Sequence, residues 1–155
     1  MGAAVERVLQ LNDTTRLVGI LRERPDGSMF VDLRKFIASD RYIGPSRSGI
    51  WLAIPSVKAV HQILRALCQA AALPGECELA QFNITPRKDL VVRITQYGGG
   101  WGVDIREWLN GTKYTGWSRH GIRIATDKLP EALRLFEDLL YDGFQARAMS
   151  AGVAA

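Results

Sequence analysis

Cysteine is scarce in this 155-residue chain: Cys68 and Cys77 stand alone, without a second pair or a nearby histidine. That excludes a disulfide framework and a thiolate zinc set, and makes a reducing compartment the expectation. Long apolar runs are lacking too, since Arg, Asp or Glu interrupts every candidate stretch well short of the roughly 18 residues of a membrane span. The opening MGAAVERVLQ has neither the basic-then-apolar pattern of an export signal nor a Ser or Thr where myristoylation needs one, Glu6 standing there. A cytoplasmic protein is expected, nucleoid-associated in a bacterium or phage-infected cell and nuclear in a eukaryote. Histidine occurs only at His61 and His120, without a Ser or Cys partner at a recognisable spacing. Gly98-Gly99-Gly100 leads into a strand pattern rather than the helix that a phosphate-cradling loop opens. No enzymatic activity, metal or cofactor is therefore expected.

What is present is ordinary for a folded domain: 47% hydrophobic and 23% charged residues, with a net charge of +4 that permits a polyanionic partner without requiring one. The informative feature is an internal repeat. At an offset of 72, VDLRKF (31–36) falls on VDIREW (103–108) and RYIGPSRSGI on KYTGWSRHGI, with nine identities in the twenty positions from Val31 to Ile50. Upstream the offset becomes 71, where QLNDTTR (10–16) meets QFNITPR (81–87). Solenoids repeat at shorter periods and need more copies, so two copies read as the halves of a symmetric pair.

Each half has the same pattern. Alternating apolar residues, Val18 and Ile20 or Leu90, Val92 and Ile94, indicate half-buried strands. Hairpin tips follow at Pro25-Asp26-Gly27-Ser28 and at the three glycines. The next strands, from about Met29 to Ile37 and Trp101 to Leu109, put Val31, Leu33, Val103 and Ile105 on one face and Asp32, Arg34, Phe36, Asp104, Arg106 and Trp108 on the other. Ile50 and Leu52 then face inward and Trp51 outward, with Arg123 in the matching place. An amphipathic helix closes each half, with Ser56 expected as one cap and Thr126 or Asp127 as the other; the apolar stripes are Val57, Val60, Leu64, Leu67 and Leu129, Leu133, Phe136, Leu140. The expected fold is α+β: two β-β-β-β-α units over 5–72 and 78–142, packed as an intramolecular pseudo-dimer, with a flexible tail over 143–155.

The strings VDIREW, Gly116, Ser118-Arg119, Gly121-Ile122 and the closing helix resemble the positive-cofactor-four family of transcriptional coactivators, and VDLRKF with GPSRSGI (44–50) resembles it equally. The resemblance implies a curved four-stranded sheet plus helix, pairing through the helices, with a groove for single-stranded DNA on each half. It implies functional roles for the strand arginines Arg34 and Arg106, the turn arginines Arg47 and Arg119, and the hairpin aromatic Tyr97, whose counterpart in the first half is Pro25. Family lysines at the tips are replaced by Asp26-Gly27 and glycines, and the basic residue after the turn arginine by Ser48 and His120.

Charge placement points the same way. Arg34, Lys35, Arg41 and Arg47 give a local +3, as do Arg106, Lys113, Arg119 and Arg123, whereas the second helix is locally −3. Aromatics are interleaved: Tyr42 and Trp51 in one half, and Tyr97, Trp101, Trp108, Tyr114 and Trp117 in the other. Cations beside flat rings suit sequence-tolerant binding of unpaired strands. Single-stranded DNA is the expected partner, RNA the alternative polymer and transcription machinery a further partner. The second functional reading is a protein-interaction module with a weakened groove and an acidic recruiting helix.

Overall fold

The structure, a computed structural model, describes residues 5–150 and 152. Two four-stranded antiparallel sheets form in simple meander order. The first comprises β1 (Glu6–Gln10), β2 (Thr15–Glu23), β3 (Met29–Ala38) and β4 (Ile43–Ala53), followed by α1 (Ile54–Gln69). The second comprises β5 (Cys77–Thr85), β6 (Lys88–Tyr97), β7 (Gly100–Asn110) and β8 (Thr115–Ala125). A 3-10 turn (Thr126–Lys128) then leads into α2 (Leu129–Ser150). The chain is thus an α+β fold of two similar units.

The tips form as their residues require. Asp26 accepts bonds from the backbone N–H and hydroxyl of Ser28, while Gly98 and Gly99 both take the positive φ of a two-residue hairpin turn. Neither expected side-chain cap is used. α1 starts earlier, on Ala53 with Pro55 in its first turn, and leaves Ser56 buried inside it; Ala125 precedes the 3-10 turn without a capping bond. α2 also runs past its expected end at Asp142 to Ser150; positions 151 and 153–155 of the expected tail lie outside the described residues.

The register corrects the upstream alignment. Leu17 lies opposite Lys35 and Leu90 opposite Glu107, so equivalent residues of β2 and β6 are 73 apart, not 71. Leu17, Gly19 and Leu21 therefore face the helices, and Val18 and Ile20 face out. Gly19 is small for a reason: a Cβ there would sit 2.9 Å from Leu139 of α2.

One hydrophobic cluster joins the units. Leu17, Leu33, Ile50 and Leu64 from the first pack with Val92, Ile105, Ile122 and Phe136 from the second. The helices pack on each other, β4 adjoins β8, and α2 crosses onto β1 and β2 of the other unit. There Arg7 of β1 donates to both oxygens of Asp142 at 2.9 and 2.6 Å. Among the described residues no helix is long and apolar enough to cross a membrane.

Candidate nucleic-acid interface

The repeated sequence motifs build a bulge in each unit. Arg34 pairs with Gly49 but Phe36 with Pro45, so Ser46, Arg47 and Ser48 together oppose Lys35. Likewise Arg106 pairs with Gly121 and Trp108 with Trp117, so Ser118, Arg119 and His120 oppose Glu107. Such extra residues leave the ladder and re-aim a side chain.

The strand arginine braces each bulge from below, Arg34 donating to the Ser46 carbonyl at 3.1 Å and Arg106 to that of Ser118 at 3.2 Å. Glycine is needed alongside it. A Cβ at Gly121 would lie 2.8 Å from the Ile105 carbonyl, and one at Gly49 2.7 Å from the Arg34 guanidinium carbon. From above, Tyr42 donates to Pro45 O at 2.6 Å and Tyr114 to Trp117 O at 2.8 Å, each ring folded over a glycine, Gly44 or Gly116. Gly121→Ala is expected to cost about 1–3 kcal/mol, since the obstructing atom is backbone. A chemical-denaturation midpoint unchanged from wild type would refute that packing.

What the bulges display is Arg47 and Arg119. Both are exposed, and among the described residues neither is within ion-pair distance of a carboxylate. Because β4 adjoins β8, with His120 Nδ1 3.3 Å from the Gly49 carbonyl, the two meet at the seam between units. Arg47, Tyr114, Trp117, Arg119 and His120 line a single open hollow of about 800 Å³ there. Arg41 and Lys113 are exposed in the β3–β4 and β7–β8 connections.

The other candidates divide. Trp51 is 60% exposed on the outer face of the first sheet, against the ring of Phe30, and Tyr97 is 80% exposed at its tip. Arg106 is engaged by Asp104 at 3.1 Å, and Arg93 binds the same buried carboxylate at 3.2 Å while covering the Trp117 ring at 3.9 Å. Trp117 also meets Trp108 edge-on. Arg123 staples the β6–β7 hairpin through Thr95 and the Gly100 carbonyl. Two candidates lie on the wrong face. Trp101 shares the side of Val103 and Ile105, and Lys35 that of Leu17 and Leu33, each on the core side of its sheet because of strand alternation.

Lys35 is half-buried, and burial, then the positive charges of Arg106 and Arg123, hold its ammonium below the usual lysine range. The folded state thus binds that proton less tightly than the unfolded chain, and stability is diminished below the folded-state pKa. Lys35→Met is expected to raise Tm at pH 7; a fall would mean that the charge holds something in place.

Two outward cations lie outside the expected set, Arg16 on β2 and Arg93 on β6, in the same alternation as Val18 and Val91. Asp89 is also outside the expected set. The amides of Asn83, Asn110 and Gln81 donate to its carboxylate and hold it below the usual range. The stabilisation it confers is complete above the ordinary aspartate pKa and lost as pH falls through the lowered one. Asp89→Asn should therefore lower Tm at neutral pH, with the gap to wild type closing in acid; a gap constant with pH would contradict the assignment.

Among the described residues no cluster of three His, Cys, Asp or Glu could hold a metal. No family model and no curated protein matches the sequence. The crystal structure of WHY1 from Arabidopsis thaliana aligns over 98% of this chain and 94% of that one, at 11% identity and a TM-score of 0.45.

Proposed function

We propose that this protein binds single-stranded nucleic acid, mainly DNA, with little regard to sequence and without catalysing a reaction on it. The observation that carries the reading is the meeting of Arg47 and Arg119, from separate repeats and without carboxylate partners among the described residues, in one hollow with Tyr114 and Trp117. Guanidiniums displayed this way suit the phosphates of a flexible strand, and exposed rings such as Trp51 and Tyr97 suit its bases. A strand crossing the seam would meet one displayed arginine from each unit. The resemblance in the repeats supports a role in transcription, replication or repair; the place of action in this reading is the cytoplasm of a bacterium or phage-infected cell, or the nucleus of a eukaryote.

Titration with oligo-dT, followed by tryptophan emission, tests the reading. Quenching is expected, together with a salt dependence of slope near −3.5 on logarithmic axes if about five phosphates are neutralised at about −0.7 each. Absence of binding, or a flat salt response, would refute it.

One observation favours the second reading, a protein-interaction module. Tyr141, Phe144 and Met149 are exposed on the second half of α2, directly after the acidic residues Glu137 and Asp138. Loss of a partner protein on Tyr141→Ser with Phe144→Ser, in a chain that ignores oligo-dT, would establish that reading instead.

A further inference from the structure

We infer that the two sheets are unequal: the outer face of the first is an open seat for a nucleotide, and the outer face of the second is a closed, structural copy of it. The inference rests on the single-strand reading and adds to it which half takes a base. It reverses the order that the sequence suggests, in which Tyr97 and the richer aromatic set favour the second half.

The difference begins at the paired motif aspartates. Asp104 is 3% exposed and its two oxygens are occupied by Arg93 and Arg106, so both cations are neutralised where they stand. In the first sheet, the place of Arg93 is taken by Ile20. Asp32 draws one short contact, from Arg22 at 3.1 Å, while the Arg34 Nη2 stays 3.7 Å away and the Asp32 Oδ1 has no hydrogen-bond partner among the described residues. Among the described residues Arg34 donates hydrogen bonds only through Nη1, to Ser46, which leaves its remaining N–H groups available to an incoming acceptor.

The surroundings differ in the same sense. Beside Arg34 the first sheet has a hollow of about 280 Å³ with Val18 and Ile20 as its floor and Phe36 and Arg16 at its side. Arg22, Arg34, Glu6 and Asp32 also line it, so an apolar floor, a ring and three guanidiniums set against two carboxylates provide a place for one base and its phosphate. Trp51 stands next to Asp32 across the β3–β4 ladder, exposed, and its counterpart in the second sheet is Arg123, stapled to backbone. In each sheet one ring carries a guanidinium, Arg16 over Phe36 at 4.8 Å and Arg93 over Trp117 at 3.9 Å, but only Arg93 is also bound to the motif aspartate.

The test is a fluorescence-anisotropy titration of the full chain with a labelled short oligo-dT, with Tm recorded for each variant. Trp51→Ala and Arg16→Ala each remove one ring contact, with Phe30 and Phe36, and are expected to lower Tm by a few degrees at most; the first should weaken binding at least about fivefold, the lower end of what loss of one stacked base costs. Arg93→Gln should change affinity less than twofold. One short oligonucleotide should bind per chain, and Trp51→Phe should remove most of the emission quenching although the other three tryptophans remain. If wild type binds the strand but Arg93→Gln weakens it as much as Trp51→Ala, or two oligonucleotides bind equally per chain, the inference falls and the single-strand reading stands. If wild type binds no strand, both fall.

Discussion

Residues 5–72 expressed alone are expected not to fold, although they hold one full copy of the repeat. The helix-facing side of β1 and β2 is covered by α2, which belongs to the other copy. Leu139 packs onto Gly19, and Asp142 binds Arg7. Removing α2 strips Leu135, Phe136 and Leu139 from the core, all buried. At about 1.5–3 kcal/mol for each large side chain the loss is of order 5–9 kcal/mol, as large as the entire stability of many domains. A unit of this size is marginal even with its own helix in place. Circular dichroism and amide proton dispersion should report an unfolded fragment, and addition of residues 78–150 in trans should restore structure. A cooperative melt of the first fragment alone would contradict the shared core. In the full chain, Phe136→Ala should cost about 3–5 kcal/mol and destabilise both sheets in a single transition, because the cluster is continuous.

The duplication was legible because its strongest matches are geometric requirements. Tyr-x-Gly and Ser-Arg-x-Gly recur because each bulge needs a ring over one glycine and an arginine beside another, and few residue types satisfy those contacts. Strand phase in β3, β4, β7 and β8 could be read from Val31, Leu33, Ile50, Leu52 and their counterparts, whose alternation has a single buried face. In β2 that signal fails. Gly19 occupies the core position because Leu139 fills its space, so Val18 and Ile20 look like the inward pair, and Arg16 is concealed with them. The roles of the arginines were legible in part. Arg106 could be placed on a strand face with Asp104 and Arg119 in a turn, but the sequence does not say which of the two is engaged within the fold. Only the fold shows that the first is a brace and the second faces solvent. The crossing of α2 onto the first sheet has no local signature either, since an apolar stripe does not state which sheet it covers.

Replacing Arg47 and Arg119 together by glutamine is expected to weaken oligo-dT binding by about 2- to 30-fold while leaving Tm within a degree or two of wild type. Both side chains are exposed, and their carbonyl and amide neighbours are held by Arg34, Arg106, Tyr42 and Tyr114 rather than by the replaced groups. Two solvated phosphate contacts at about 0.2–1 kcal/mol each give about 0.4–2 kcal/mol, which is that range of affinity. A separate signature follows from counterion release: the salt slope should become shallower by about 1.4, or 0.7 per lost contact. Arg106→Gln should do the opposite, lowering Tm because it frees one side of the buried Asp104 and unbraces the Ser118 carbonyl, with the salt slope unchanged. Equal effects of the two changes on slope would mean that the brace also touches phosphate. A slope unaffected by the double substitution would remove the seam from the binding path, because two displayed cations next to a bound polyanion cannot leave its ion atmosphere undisturbed.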